Sequence, residues 1–185
     1  MTHLMRLYLM RHGEAEPGLD YDSNRPLTAR GHENNLSVAR QWRTRITHMP
    51  IAFCSPFLRA QQTAADLRSI IPGLEFTSSD WLLPSEAIAT VFNQLSAASK
   101  KQVVAIAGAS NSSDVNEIAA QDILLIGHNP LLSQVWNDLL DADGQRRFGL
   151  STSHLVSIDA AVLASACGSF VYTVSPSTGN EPLPS

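Results

Sequence analysis

Leu7-Tyr8-Leu9-Met10-Arg11-His12-Gly13 is the stretch that decides how the rest of the chain is read. The apolar run reads as a strand from Leu4 to Met10, continuous in hydrophobicity and therefore covered on both faces, as strands of a parallel sheet are. A cation, an imidazole and a glycine stand directly after it. Open α/β sheets place their ligands at the C-terminal ends of strands. There the arginine attracts an anion, the imidazole is a nucleophile toward phosphorus, and the glycine lets backbone approach closely. Three residues recur by chance, so their weight depends on what the rest of the chain supplies.

Outward from this stretch, a polar loop with Pro17 and Gly18 leads to Pro26-Leu27-Thr28, where Thr28 is the expected N-cap of a first helix. Leu36, Ala39, Trp42 and Ile46 give that helix an apolar face at spacings near three and four. Ile51-Ala52-Phe53-Cys54 reads as a second buried strand. Ser55-Pro56 then reads as N-cap and first position of a helix running from about Pro56 to Ile70, stopped by Pro72-Gly73. Leu74 to Phe76 has the look of a short strand, and Pro84-Ser85 opens a helix carrying Ile88, Val91, Phe92 and Leu95. Val103 to Ala107 has some strand character, and Gly108 to Asp114 is small and polar like a loop. Asp122 to Gly127 is a clear buried strand ending in His128-Asn129-Pro130, followed by a helix that buries Leu131, Leu132, Val135, Trp136 and Leu139. His154 to Ile158 and Phe170 to Val174 close the chain as a pair of strands. Alternating helices and buried strands predict a three-layer α/β/α sandwich with a mostly parallel central sheet. Residues 1–176 are expected to form one domain, with 177–185 a flexible tail.

Bulk properties narrow the function classes. The 185 residues carry 44% apolar and 16% charged residues, an ordinary globular balance long enough to bury a core. A net charge of −4 offers no basic footprint for nucleic acid and no polybasic stretch for an anionic membrane. An anionic ligand must therefore be attracted by local arginines within a mildly acidic whole. Two cysteines, Cys54 and Cys167, are too few for a disulfide framework, and no apolar run reaches the length of a membrane span. The start of the chain reads as strand, not signal peptide. The expected compartment is the cytoplasm, and a monomer is favoured.

Three strand ends carry polar groups, and a parallel sheet brings such ends to one edge. Arg11 and Arg59 each offer a planar fork suited to two phosphate oxygens. Arg59 adds its charge where the first turn of a helix already presents free N–H groups. Taken singly, Arg59 reads better as a surface helix charge, Arg11 as readily as a salt-bridged strand end, and His12 as a common structural histidine. Both guanidinium groups disfavour a further positive charge and are expected to keep His12 neutral. A backbone carbonyl near Gly13 is the expected partner that fixes its tautomer. His128 is placed to donate to a phosphoryl oxygen. The histidines at 3, 12, 32, 48, 128 and 154 show no paired metal-ligand spacing, so metal binding ranks well below phosphoryl transfer.

Together these segments resemble the histidine phosphatase (phosphoglycerate mutase-like) superfamily, and within it the small SixA-type phosphohistidine phosphatases. The resemblance rests on Arg11-His12-Gly13, on Arg25-Pro26-Leu27-Thr28 with Gly31, on Ser55-Pro56-Phe57-Leu58-Arg59-Ala60-Gln61-Gln62-Thr63, and on Gly127-His128-Asn129-Pro130. Thr152-Ser153 and Ser175-Pro176 also fit, so it runs from about Leu4 to Pro176. It implies that His12 accepts the phosphoryl group and that Arg11, Arg59 and His128 complete the pocket, without metal or organic cofactor. Gly13 and Ser55 join the substrate-binding set. Arg25 either contacts phosphate or ties down the loop before the first helix.

Two departures stand out. The polar stretch from Gly108 to Gln121 is longer than a compact member needs, and reads as a lid, a partner site or a tolerated loop. Loop fits best, because surface insertions cost little. The acid that many members use to protonate a leaving oxygen has no clear counterpart. Glu86 and Asp22 are the two candidates, although such residues are more often ordinary helix-start or loop acids than proton donors. An ester must expel an alkoxide and gains greatly from a proton donor, whereas a phosphohistidine expels an imidazole that leaves easily. The expected substrate is therefore phosphohistidine on a signalling or phosphotransfer protein. The rivals are a phosphatase of small phosphate esters, a non-catalytic phosphoprotein-binding module and a metal hydrolase.

Overall fold

Continuous apolar strands that alternate with helices have one economical arrangement, a sheet covered on both sides. The computed structural model adopts it. It describes residues 5–18, 22–109, 122–141, 147–160 and 162–176, with the side chains of 99–109 outside the description. In chain order the elements are β1 (Met5–Arg11), α1 (Ala29–Arg43), β2 (Ile51–Cys54), α2 (Leu58–Ile70), β3 (Phe76–Ser78), α3 (Ile88–Ala109), β4 (Ile123–Gly127), α4 (Leu131–Leu140), β5 (Leu155–Ala160) and β6 (Gly168–Val174). Short 3-10 turns occupy Asp22–Asn24 and Asp80–Leu82.

The six strands form one sheet in the order β3-β2-β4-β1-β5-β6. The first four are mutually parallel, while β5 and β6 run antiparallel to close one edge. Side chains alternate across a strand. Leu7 and Leu9 of β1 therefore join Ile123 and Leu125 of β4 beneath Val91, Leu95, Leu131, Val135 and Leu139. Tyr8 and Met10 join Leu124 and Ile126 on the opposite face beneath Val38, Trp42, Ala60, Ala64 and Leu67. Helices α1 and α2 thus cover one face, and α3 and α4 the other.

Several element boundaries depart from the sequence expectation. Thr28 caps α1 as anticipated, its hydroxyl accepting from Gly31 N at 2.9 Å. The buried face of α1 is Asn35, Val38, Ala39 and Trp42, with Leu36 and Ile46 only half-buried. Helix α2 begins at Leu58 with Phe57 as its N-cap, two residues later than Ser55-Pro56 predicted. The third strand is Phe76–Ser78 instead of Leu74 to Phe76, and α3 begins at Ile88, after a turn through Pro84-Ser85. Val103 to Ala107 is helical, not strand-like, and the helix continues over Gly108 and Ala109. The rest of the 108–121 stretch and the tail after 176 lie outside the described residues. Among the described residues, no helix is long and apolar enough to cross a membrane.

Candidate active site

Strand register brings the motif ends together. Arg11 pairs with Gly127, and Cys54 with Ile126, so β1, β2 and β4 finish at nearly the same level. The ladder continues one residue past each end. His12 N donates to Gly127 O at 3.0 Å, and Ser55 N donates to Ile126 O at 2.9 Å. These bonds seat His12, Ser55 and His128 side by side on one edge although up to 116 residues separate them.

His12 is 7% exposed, with its Nδ1 2.7 Å from the carbonyl of Gly13. A carbonyl only accepts, so Nδ1 carries the hydrogen and Nε2 keeps a lone pair. That lone pair faces Arg59, whose Nε donates to it at 3.1 Å. The His12 and His128 ring centroids lie 4.9 Å apart. Phe57 lies against His128 at 5.0 Å and beneath the Arg59 guanidinium at 4.9 Å, an apolar wall between the imidazole and the cation.

Burial is the main reason both imidazoles are neutral. It lowers His12 to about 4, opposed by the Gly13 carbonyl and reinforced by the charges of Arg59, Arg11 and Arg25. It lowers His128 to about 3, with His12 and Arg59 adding to the effect. The guanidinium groups expected from sequence to do this work are therefore secondary to desolvation. Arg11 itself is lowered by burial and by the neighbouring Arg59, while its Nη1 donates to Leu150 O at 3.0 Å. Its Nε is buried and has no partner among the described residues.

Asp22 gathers the remaining cations. Its carboxylate accepts from Arg59 Nη2 and from Arg25 Nη1, each at 2.9 Å, and its carbonyl accepts from Arg59 Nη1 at 2.5 Å. Burial works against the charge on Asp22, but the hydrogen bonds and charges of Arg59 and Arg25 outweigh it and hold the carboxyl below its ordinary value. Arg25 also donates from Nε to Glu16 O at 2.8 Å, so it ties down the loop before α1. Glu86 is half-buried in the turn before α3, and no hydrogen bond or ion pair joins it to the histidines or arginines among the described residues.

Gly13 and Ser55 both make contacts within the protein. A Cβ at Gly13 would meet the Asn35 side chain at 2.7 Å and Gly31 O at 3.0 Å, so the glycine lets helix α1 approach closely. Its N–H is committed to Thr63 Oγ1 at 3.1 Å. Ser55 Oγ lies 2.8 Å from His128 Nε2. Sequence reading did not single out the network behind His12. Asn35, fully buried, donates to Thr63 Oγ1 at 3.3 Å and Asp66 Oδ2 at 2.9 Å, and accepts from Ser153 Oγ at 2.7 Å. Ser153 holds a left-handed φ of 59°, fixed by its N–H bonds to the carbonyls of Arg11 and His12. A buried polar residue in the middle of a helix face was the available sign of Asn35.

Comparison with known proteins matches residues 7–80 to the model of the histidine phosphatase superfamily, branch 1. The matched span holds Arg11-His12-Gly13 and the Ser55 to Thr63 segment. Phosphohistidine phosphatase SixA of Escherichia coli K12 is 28% identical over 172 residues, covering 93% of this chain and 94% of that protein. Both comparisons place the chain's similarity with the histidine phosphatase superfamily, the family model over residues 7–80 and the SixA relative over most of the length. Among solved structures, the protein histidine phosphatase SixA complexed with tungstate superposes with a TM-score of 0.72 at 24% identity, covering 93% of this chain and 97% of that one. The alpha-ribazole phosphatase from Shigella flexneri shares the fold at a TM-score of 0.58 and 20% identity, covering 96% of this chain and all of that one (100%). The superfamily match and the SixA relative support phosphatase activity, and the site just described gathers two arginines around two neutral histidines. Cys54, at the same sheet edge, is a different case. Burial pushes its thiol up to about 11 despite a contact from Gln61, which makes it unreactive.

Proposed function

We propose that this phosphatase uses His12 as a nucleophile and removes phosphoryl groups from phosphohistidine on a signalling or phosphotransfer protein. The observation that carries the reading is the Gly13 carbonyl 2.7 Å from His12 Nδ1, which leaves Nε2 unprotonated beside the Arg59 guanidinium. In the first step the Nε2 lone pair bonds to phosphorus as the bond to the leaving nitrogen breaks; that nitrogen keeps the bonding electron pair, and its ring departs as a neutral imidazole with the proton already on its other nitrogen. In the second step water attacks phosphorus, the Nε2–P bond breaks, and phosphate leaves. Arg11 and Arg59 offset the charge on the transferring oxygens in both steps, and His128 donates to one of them. A phosphoryl group attacked at Nε2 takes the place that the Arg59 Nε–H holds at that atom, so Arg59 turns its fork from the ring to the oxygens.

Leaving-group chemistry supports phosphohistidine over an ester. Expulsion of an alkoxide calls for a positioned acid. Asp22 is an ionised carboxylate committed to two guanidinium groups, which makes it a poor donor at neutral pH. The SixA relative, named for phosphohistidine, points the same way. The test is incubation with a phosphorylated histidine phosphotransfer protein beside a panel of sugar phosphates, with acid-quenched protein scored for a labile phosphoenzyme. Rapid loss of phosphate from the protein, slow loss from the sugars, and a phosphoenzyme absent in His12→Ala are the expected results. Efficient sugar-phosphate turnover with an untouched phosphoprotein refutes the substrate assignment. A phosphoenzyme that survives His12→Ala refutes the nucleophile.

A further inference from the structure

We propose that Ser55 is a positioning residue: its hydroxyl donates to His128 Nε2 and fixes the neutral ring as the Nδ1–H tautomer, so that His128 presents a proton to the phosphoryl group. This deepens the proposed function in assigning the recipient of that proton, while the tautomer itself stands on the geometry around Ser55.

Both partners are sealed from solvent, at 0% and 1% exposure, with Oγ and Nε2 2.8 Å apart. Heavy-atom positions alone leave open which of the two donates. The neighbours of Ser55 decide it. Phe57 N–H donates to Ser55 Oγ at 3.4 Å, occupying an acceptor position of the hydroxyl. The Ser55 backbone is locked on both sides, its N–H bonded to Ile126 O and its carbonyl accepting from Gln61 Nε2 at 2.8 Å. A hydroxyl has one proton to give. Among the described residues, His128 Nε2 is the acceptor in contact with it. The opposite arrangement, with Nε2–H donating, leaves the hydroxyl proton without a recipient in a dry site, which is costly.

The other ring nitrogen completes the argument. His128 Nδ1 is buried without a partner among the described residues, so it is the ring nitrogen left uncommitted. Because burial keeps the ring neutral, it holds a single proton, and everything turns on which nitrogen has it. A free neutral histidine prefers the proton on Nε2. In that form Nδ1 would face an anionic oxygen lone pair to lone pair and repel it. Acceptance of the Ser55 proton at Nε2 reverses the preference and converts an acceptor into a donor.

The test reads the ring directly. Long-range nitrogen-15 to proton spectra of the full chain at neutral pH should show His128 protonated at Nδ1 and bare at Nε2. In Ser55→Ala the proton should shift toward Nε2, and kcat/KM on a phosphohistidine peptide should fall about tenfold or more. The ceiling is the ~100- to 1000-fold expected for loss of a direct oxyanion donor. Ser55→Thr, which keeps the hydroxyl, should restore both tautomer and rate. In a His128→Ala background the Ser55→Ala change should cost less than about twofold, because the two act as one unit. A wild-type ring protonated at Nε2, or an undiminished Ser55→Ala penalty without His128, overturns the proposal. The two readings fail separately. The spectra need no substrate, whereas an acid-labile phosphoenzyme missing from wild type would refute His12 as nucleophile and leave the tautomer result standing.

Discussion

Replacing Asp22 by Asn separates two roles that a carboxylate beside a phosphate site can play. The Asp22 carboxylate engages Arg59 and Arg25 at 2.9 Å each, with the carbonyl of the same residue also holding Arg59. Under the proposed function an incoming phosphoryl group competes with it for the same cations. Asn keeps the shape, one side-chain acceptor and the backbone bond, and removes the charge. The Asp22 side chain is 56% exposed, so each ion pair contributes at the solvent-screened level of ~0.5–1 kcal/mol. Two such pairs amount to about 1–2 kcal/mol, which corresponds to roughly 5- to 30-fold tighter anion binding in Asp22→Asn. Calorimetric titration with tungstate or vanadate, at low and high salt, measures it, and the gain should shrink as salt screens the exposed pair. Unchanged or weaker anion affinity refutes the competition. An unchanged affinity joined to a fall in kcat that deepens with poorer leaving groups would instead make Asp22 a proton donor.

Other consequences follow from the same geometry. His12 and His128 are neutral in the fold, with values near 4 and 3 against 6.5 unfolded, so the unfolded chain binds more protons as pH drops below about 6.5. Stability should be full above that pH and lost on acidification, on the order of 2 kcal/mol per histidine by pH 5, and urea unfolding of wild type and of His128→Ala at pH 7 and 5 checks it. Asn35→Ala strips the buried partner from Ser153 and one from Thr63, and should destabilise by about 1–3 kcal/mol for the groups left unsatisfied, read from denaturant midpoints. Gly31→Ala drives a Cβ into the Glu14 carbonyl, so it should lower the melting temperature and the activity together. Thr28→Ala, which loses the cap of α1, should cost ~1 kcal/mol of stability.

Where sequence and structure agree, the local pattern and the tertiary role coincide. The strands at Leu7 and Ile123 and the buried face of α4 could be read directly, because a continuous or regularly spaced apolar run has few ways to be satisfied. The site could be read for a topological reason: parallel strands put their C-terminal ends on one edge, so Arg11, His12, Ser55 and His128 meet without any local signal of contact. The misread places are those where a residue has two uses. Val103 and Val104 carry strand propensity, but no glycine or proline interrupts the run from Ser85 to Ala107, and a few tenths of a kcal/mol per β-branched residue do not stop a helix already formed. The links from Asp22 to Arg59 and from Asn35 to Ser153 span 37 and 118 residues, and depend on packing that no periodicity encodes.

Placing neutral imidazoles directly beside guanidinium cations has a chemical logic. A nucleophilic imidazole must be unprotonated and still sit beside cations that attract a dianion. Guanidinium repulsion alone would weaken as soon as the anion arrived and neutralised it, letting the ring regain a proton at the moment it must attack. Burial does not depend on the ligand. Because desolvation is the larger influence on His12, the proposed mechanism has the lone pair available as the anion binds, with Arg11 and Arg59 assigned to the transferring oxygens. The argument predicts that neutralising Arg59, as in Arg59→Met, leaves His12 unprotonated at neutral pH in ring nitrogen-15 spectra while anion affinity collapses. A His12 ring that instead titrates near 6.5 in that variant would assign control of its protonation to the arginine and not to burial.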